Sequence, residues 1–149
     1  MVNERQQLCT FFVADRFFGV DVTRVQEVIR YQEMTRIPLA SPVIRGLINL
    51  RGQIVTALDM RARLGLPPRP GNALPMNVVV RTDDGAVSLL VDEIGDVVEV
   101  DPASREAVPE TLTVGSRELI SGVCKLKDRL LLVLDPQRAI DGTSMARSA

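Results

Sequence analysis

The densest group of side chains able to do chemistry is acidic: Asp92, Glu93, Asp96, Glu99 and Asp101. Carboxylates this close can hold a hard cation through oxygen, or act as a general acid and base pair. They alternate, however, with Val91, Ile94 and Val98, whose spacing predicts a short helix with its apolar side buried. The carboxylates then form its solvated face. A second group, Arg61, Arg63 and Arg69, could meet phosphates, as small barrels that bind single strands do. No aromatic residues interleave with these arginines to stack on bases, so they read as solvated surface or a protein contact. The chain has no histidine, which removes the commonest general base and transition-metal ligand together. It also lacks a Gly-rich phosphate loop, a nucleophile elbow, a paired-cysteine motif and a calcium loop. Cys9 and Cys124 lie far apart in apolar runs and read as reduced core thiols. These observations predict a non-catalytic protein without cofactor or metal. A small β-barrel nucleic-acid binder is the alternative, and an enzyme built on the acidic cluster a distant third.

The elements that must carry these residues are built from aliphatics. Apolar residues make up 46% of the 149 but aromatics only 3%, so the core is Val, Leu and Ile, a composition that favours strands. Eighteen basic and 19 acidic residues leave a formal charge of −1, too little to steer the chain toward nucleic acid or an anionic membrane. A protein partner is the better expectation. The first seven residues are polar and no apolar run is long enough to span a bilayer, which predicts a cytoplasmic protein without direct membrane insertion.

Leu8 to Val13 and Arg16 to Val20 read as a hairpin, and the four phenylalanines they contain, Phe11, Phe12, Phe17 and Phe18, as core. Val22, Val25 and Ile29 have helical spacing, and either Asp21 or the Thr23 and Gln26 pair could begin a short helix there. Tyr31, just beyond, offers a ring and a hydroxyl suited to an interface. A second hairpin is predicted from Gly46 to Leu50 and Gln53 to Leu58, followed by a short helix capped by Asp59 and ending near Gly65. The run 67–75, rich in proline, connects two halves, approximately 8–66 and 76–140, and 141–149 reads as a frayed tail.

The second half repeats the first. Met76 to Thr82 and Ala86 to Leu90 read as strands, and Val91, Ile94 and Val98 repeat Val22, Val25 and Ile29 at a shift of 69. Ile44 to Leu64 overlays Ile120 to Ile140 without a gap at a shift of 76, with Gly46 on Gly122 and Asp59 on Asp135 among five identities. About five strands and a short helix per half predict an all-β protein of two small barrels or curled sheets related by a pseudo-twofold axis.

One block is more specific. Val20-Asp21-Val22, Val25-Gln26-Glu27-Val28-Ile29, Thr35-Arg36-Ile37-Pro38, Gly46-Leu47-Ile48-Asn49-Leu50-Arg51-Gly52-Gln53-Ile54-Val55 and Leu58-Asp59-Met60-Arg61 together resemble the CheW family of chemotaxis coupling proteins. The later pieces Leu90-Val91-Asp92, Gly122 and Leu134-Asp135 fit as well. The resemblance implies two five-stranded SH3-like barrels and a stand-alone adaptor that joins the cytoplasmic tip of a chemoreceptor to the regulatory domain of the histidine kinase CheA. It also implies recruitment to membrane-associated receptor arrays, where other CheW-like domains are further partners. Residue by residue, it implies receptor coupling through Val25, Gly46 and Gly52, kinase contact through Val22 and Ile29, and a charged pair between Glu27 and Arg51. The pattern departs at Glu93, where some relatives carry glycine after the Val-Asp pair.

Overall fold

A computed structural model of the chain describes residues 5–38 and 40–141, and with them ten strands and three short helices. Of the predicted tail, 141–149, only Asp141 is among the described residues, and it ends a helix. The first half supplies β1 (Gln6–Val13), β2 (Arg16–Asp21), β3 (Val25–Ile29), β4 (Ile44–Leu50), β5 (Gln53–Asp59) and α1 (Met60–Arg63). The second supplies β6 (Met76–Thr82), β7 (Gly85–Val91), β8 (Glu93–Val100), α2 (Val114–Leu119), β9 (Ile120–Lys125), β10 (Leu130–Leu134) and α3 (Pro136–Asp141). The six strands read from apolar and β-branched runs are all present, to within two residues at their ends, and Asp59 caps α1 by accepting from the Arg61 amide at 3.0 Å.

Two expected helices are strands. Asp21 does act as a cap, accepting from the Thr23 amide at 2.9 Å, but the helix it starts is a single 3-10 turn, Val22–Arg24. The chain then extends as β3, and at the corresponding place in the second half as β8. Each strand carries a β-bulge: β3 advances two residues from Val25 to Glu27 while β6 advances one, and β8 advances three from Ile94 to Val97 while β1 advances two. An extra residue reverses the side-chain alternation. Val25 and Ile94 therefore pack on the core between the sheets, whereas Ile29 and Val98, four residues on, pack inside their own sheets. The bulge turns a strand pattern into an apparently helical one.

The sheets do not follow the two halves. One has the order β8-β1-β2-β10-β9 and the other β3-β6-β7-β5-β4. Each half lends its first hairpin to the sheet built by the other half, so each sheet is completed by strands from across the proline-rich connection. The two orders are the same when every strand is advanced by five places, which is the pseudo-twofold relation. It extends to the parallel pairs β2 with β10 and β5 with β7. It also extends to closure: beyond β3 the chain returns at Thr35 to pair with Leu47 of β4, and beyond β8 it returns at Glu106 to pair with Val123 of β9. Each curled sheet becomes a five-stranded barrel whose two edges are joined.

Alternation sorts the core into three layers. Ile48, Leu50, Val55, Ala57, Val79 and Leu90 fill one barrel. Leu8, Phe17, Val100, Cys124, Leu131 and Val133 fill the other. Residues of opposite parity, among them Phe11, Phe18, Leu58, Val78, Val80, Leu89, Leu132 and Leu134, form the shared layer between them. The stacked rings of Phe11 and Phe18 lie in that shared layer, while Phe12 and Phe17 sit 4.9 Å apart with the Arg129 guanidinium over both.

Candidate protein-binding site

β3 and β4 are the two edge strands of their sheet, and the residues singled out by the sequence lie on or beside them. Arg51 and Gly52 both have positive φ, 52° and 89°, so they form a tight two-residue turn between β4 and β5 whose twist suits a hairpin. Asn49 Oδ1 accepts from the Gly52 amide at 2.9 Å. The turn reaches β3: Gln26 Nε2 donates to Gln53 Oε1 at 3.3 Å, and the Arg51 guanidinium bonds the Glu27 carboxylate. Arg51 is 71% exposed and Glu27 only 19%. The hydrogen bond from Arg51 holds the Glu27 carboxyl below the usual carboxylate range. This ion pair brings Glu27, Arg51 and Gly52 onto one surface.

The remaining positions are placed differently. Gly46 is buried on β4, where an added Cβ would lie 2.6 Å from the Thr35 carbonyl oxygen. Its lack of a side chain is what lets the barrel-closing strand pass over β4. Val22, Val25 and Ile29 are all partly buried, and Val25 and Ile29 point into different core layers. The apolar side chains most open to solvent beside the turn and on the β3 edge are instead Ile54, 59% exposed, and Val28, 38% exposed. Neither was singled out from the sequence, because a helical reading of 22–29 buries 22, 25 and 29 and attaches no meaning to 28. Only the bulged strand shows which side chain faces outward.

The charged groups also need correction. Arg61, Arg63 and Arg69 are not solvated surface: their side chains are 13%, 10% and 7% exposed. Arg61 grips Asp92 at 2.7 Å and the Pro67 carbonyl at 3.0 Å, Arg69 pairs with Asp92 at 2.8 Å and Asp59 at 3.5 Å, and Arg63 donates to the Ala139 carbonyl at 2.9 Å. Nor is Asp92 part of a solvated helix face; it also accepts from the Ala14 amide at 2.6 Å, tying the β1–β2 turn to α1 and the proline-rich connection. Burial acts to raise the Asp92 carboxyl, but the bonds from Arg61 and Ala14 and the charge of Arg69 outweigh it and hold it below the usual range. Glu93, Asp96 and Glu99 are exposed, and among the described residues no three acidic or cysteine side chains gather where they could hold a metal ion. The cations that suggested nucleic acid are thus committed to carboxylates and carbonyls inside the protein.

The family model described as "CheW-like domain" matches residues 7–143, which takes in both barrels. The chain belongs to the CheW-like family. It is 30% identical over 143 residues to "Chemotaxis protein CheW" of Bacillus subtilis, covering 96% of this chain and 92% of that one. Against "Chemotaxis protein CheW" of Klebsiella aerogenes it is 26% identical over 141 residues, covering 95% and 85%. A shorter similarity, 29% over 84 residues covering 56% of this chain and 47% of the other, links it to "Protein PilI" of Pseudomonas aeruginosa. The crystal structure of scaffolding protein TtCheW from Thermoanaerobacter tengcongensis superposes with a TM-score of 0.83 at 25% identity, covering 93% and 94%. The CheW-like fold of two barrels, expected from the repeat and the Gly46 to Val55 block, is the observed one.

Proposed function

We propose that this chain is a non-catalytic adaptor that couples chemoreceptors to the histidine kinase CheA, acting in the cytoplasm on membrane-associated receptor arrays. The observation that carries this reading is the surface formed where the Arg51–Gly52 turn is bound to β3 through Glu27, in a chain whose relatives in Bacillus subtilis and Klebsiella aerogenes are named chemotaxis protein CheW. Such a surface suits a binding partner: an apolar point at Ile54, another at Val28, and a charged rim. Receptor contact is assigned to the turn at Gly52 together with Ile54, with Gly46 and Val25 shaping the backbone beneath. Kinase contact is assigned to the β3 edge between Val22 and Ile29. Holding both partners raises the effective concentration of each for the other, which is how an adaptor without chemistry alters kinase output. Other CheW-like domains are further partners on the β8 edge of the opposite barrel, where Val97, the pseudo-twofold counterpart of Val28, is 57% exposed. The test is co-sedimentation with receptor-containing membranes and the kinase, reading kinase recovery and autophosphorylation with and without this protein. Added recovery and altered activity are expected; no response with cognate components would remove the coupling function.

A further inference from the structure

The pseudo-twofold relation places Leu8 on Asn77 and Gly19 on Ser88. These four residues occupy the same two places on the inner walls of the two barrels, yet the solutions are opposite. In the first barrel Leu8 is fully buried and Gly19 leaves room for it: a Cβ at residue 19 would lie 3.2 Å from Leu8 Cβ, Leu8 Cδ1 and Leu131 Cδ1. In the second barrel both residues are polar and both are fully buried. Ser88 Oγ donates to Asn77 Oδ1 at 2.7 Å, and Asn77 Nδ2 then donates to the Arg30 carbonyl at 3.0 Å. Arg30 is the first residue beyond β3, and Asn77 is also the strand partner of Ile29. From Arg30 the chain has only to reach Thr35 before it crosses Gly46 and closes the barrel on Leu47.

A buried polar pair gains little net stability over well-packed aliphatics, and its value lies in fixing geometry. We infer that Asn77, oriented by Ser88, is a positioning residue that fixes the exit of β3 and so sets the shape of this barrel's binding edge, a constraint its pseudo-symmetric twin does not have. The role rests on the adaptor reading of that edge. It explains how two barrels of one topology come to present unlike edges: the bonded carbonyl lies at the exit of β3, at Arg30, in one, and at the bulge of β8, where the Thr10 hydroxyl donates to the Asp96 carbonyl, in the other.

The test transplants the first barrel's solution into the second, as Asn77→Leu with Ser88→Gly. Amide hydrogen exchange is followed at Thr35 and Leu47, with the equivalent bridge at Glu106 and Val123 as internal control. Exchange at Thr35 and Leu47 is expected to quicken by about tenfold, the scale of one lost buried hydrogen bond, with the control bridge unchanged. Recovery of receptor and kinase should fall while the thermal midpoint holds or rises. Ser88→Ala, which frees Asn77 without removing it, should give a smaller change of the same kind and serves if the double variant does not fold. Unchanged exchange at Thr35 and Leu47, or equal quickening at both bridges, would overturn the inference. If exchange quickens at Thr35 and Leu47 but partner recovery matches wild type, the edge role is overturned. Failure of the wild-type protein itself to recruit partners counts against the adaptor reading instead, and exchange alone then decides the positioning.

Discussion

Gly46→Ala should destabilise this protein far more than the same methyl group added at its pseudo-twofold counterpart, Gly122. The new Cβ would stand 2.6 Å from the Thr35 carbonyl oxygen and 3.1 Å from both the Thr35 carbonyl carbon and Met34 Cβ, so the obstacle is mainly backbone. That backbone is held by two bonds, Thr35 N to Leu47 O at 2.9 Å and Leu47 N to Thr35 O at 2.8 Å, which cannot keep their lengths once the strand moves away. Overpacking a tight site costs about 1–3 kcal/mol. Each weakened bond adds about 0.5–1.5 kcal/mol. A loss of about 2–6 kcal/mol follows, which for a chain of this size lowers the thermal midpoint by on the order of 10 °C. The pseudo-twofold supplies the comparison: at Gly122 the added Cβ would meet Arg105 Cδ at 2.5 Å and Cγ at 2.6 Å, a side chain that can swing aside, with the Glu106 carbonyl at 3.1 Å. Gly122→Ala should cost under about half as much. Denaturation of both variants by heat, monitored by circular dichroism, decides the point. Equal losses at the two positions would refute the distinction between backbone and side-chain obstruction.

Three further outcomes are expected. Asp92→Asn leaves Arg61 and Arg69 without their shared carboxylate at a site where all three side chains are largely buried, and should cost about 3 kcal/mol in urea denaturation. Because the Asp92 and Asp21 carboxyls are held below their ordinary range, their contribution to stability is complete above about pH 4 and is lost as pH falls through the lowered values, so wild-type stability should be flat from pH 7 to about pH 5 and fall below pH 4, with a shallower fall in Asp92→Asn. Arg51→Glu places two carboxylates at the turn and should reduce receptor recovery in sedimentation, whereas Glu27→Arg combined with Arg51→Glu restores it; equal loss in both would show that charge at Arg51, not the pair, is what the partner reads.

Local signals were legible wherever one strand alone fixed them. The hairpins around Asp84 and Gly52, the cap at Asp59 and the aliphatic runs of β6 and β7 need only neighbouring residues, and each was read correctly. β3 and β8 were misread because a bulge at Gln26 and at its counterpart makes a strand imitate a helix, and a bulge is defined by the partner strand, which lies some 50 or more residues away in sequence. The arginines were misjudged for a similar reason: Arg61 meets Asp92 across 31 residues and Arg63 meets Ala139 across 76, so nothing nearby marks them as bound. Glu27 with Arg51 came from the family pattern, while Ile54 and Val28 became visible only as exposed surface. The repeat showed two equivalent units but could not show that they trade hairpins.

That trade makes a break in the chain different from a break in the molecule. Leu66 to Pro75 forms neither helix nor strand, yet cutting it would not release two bodies, because β1 and β2 are bonded between β8 and β10, and β6 and β7 between β3 and β5. A protein nicked at Gly71 should travel as a single particle and melt in one transition. Damage to either half is then felt by both surfaces, and an adaptor so interlaced is lost or retained as a whole.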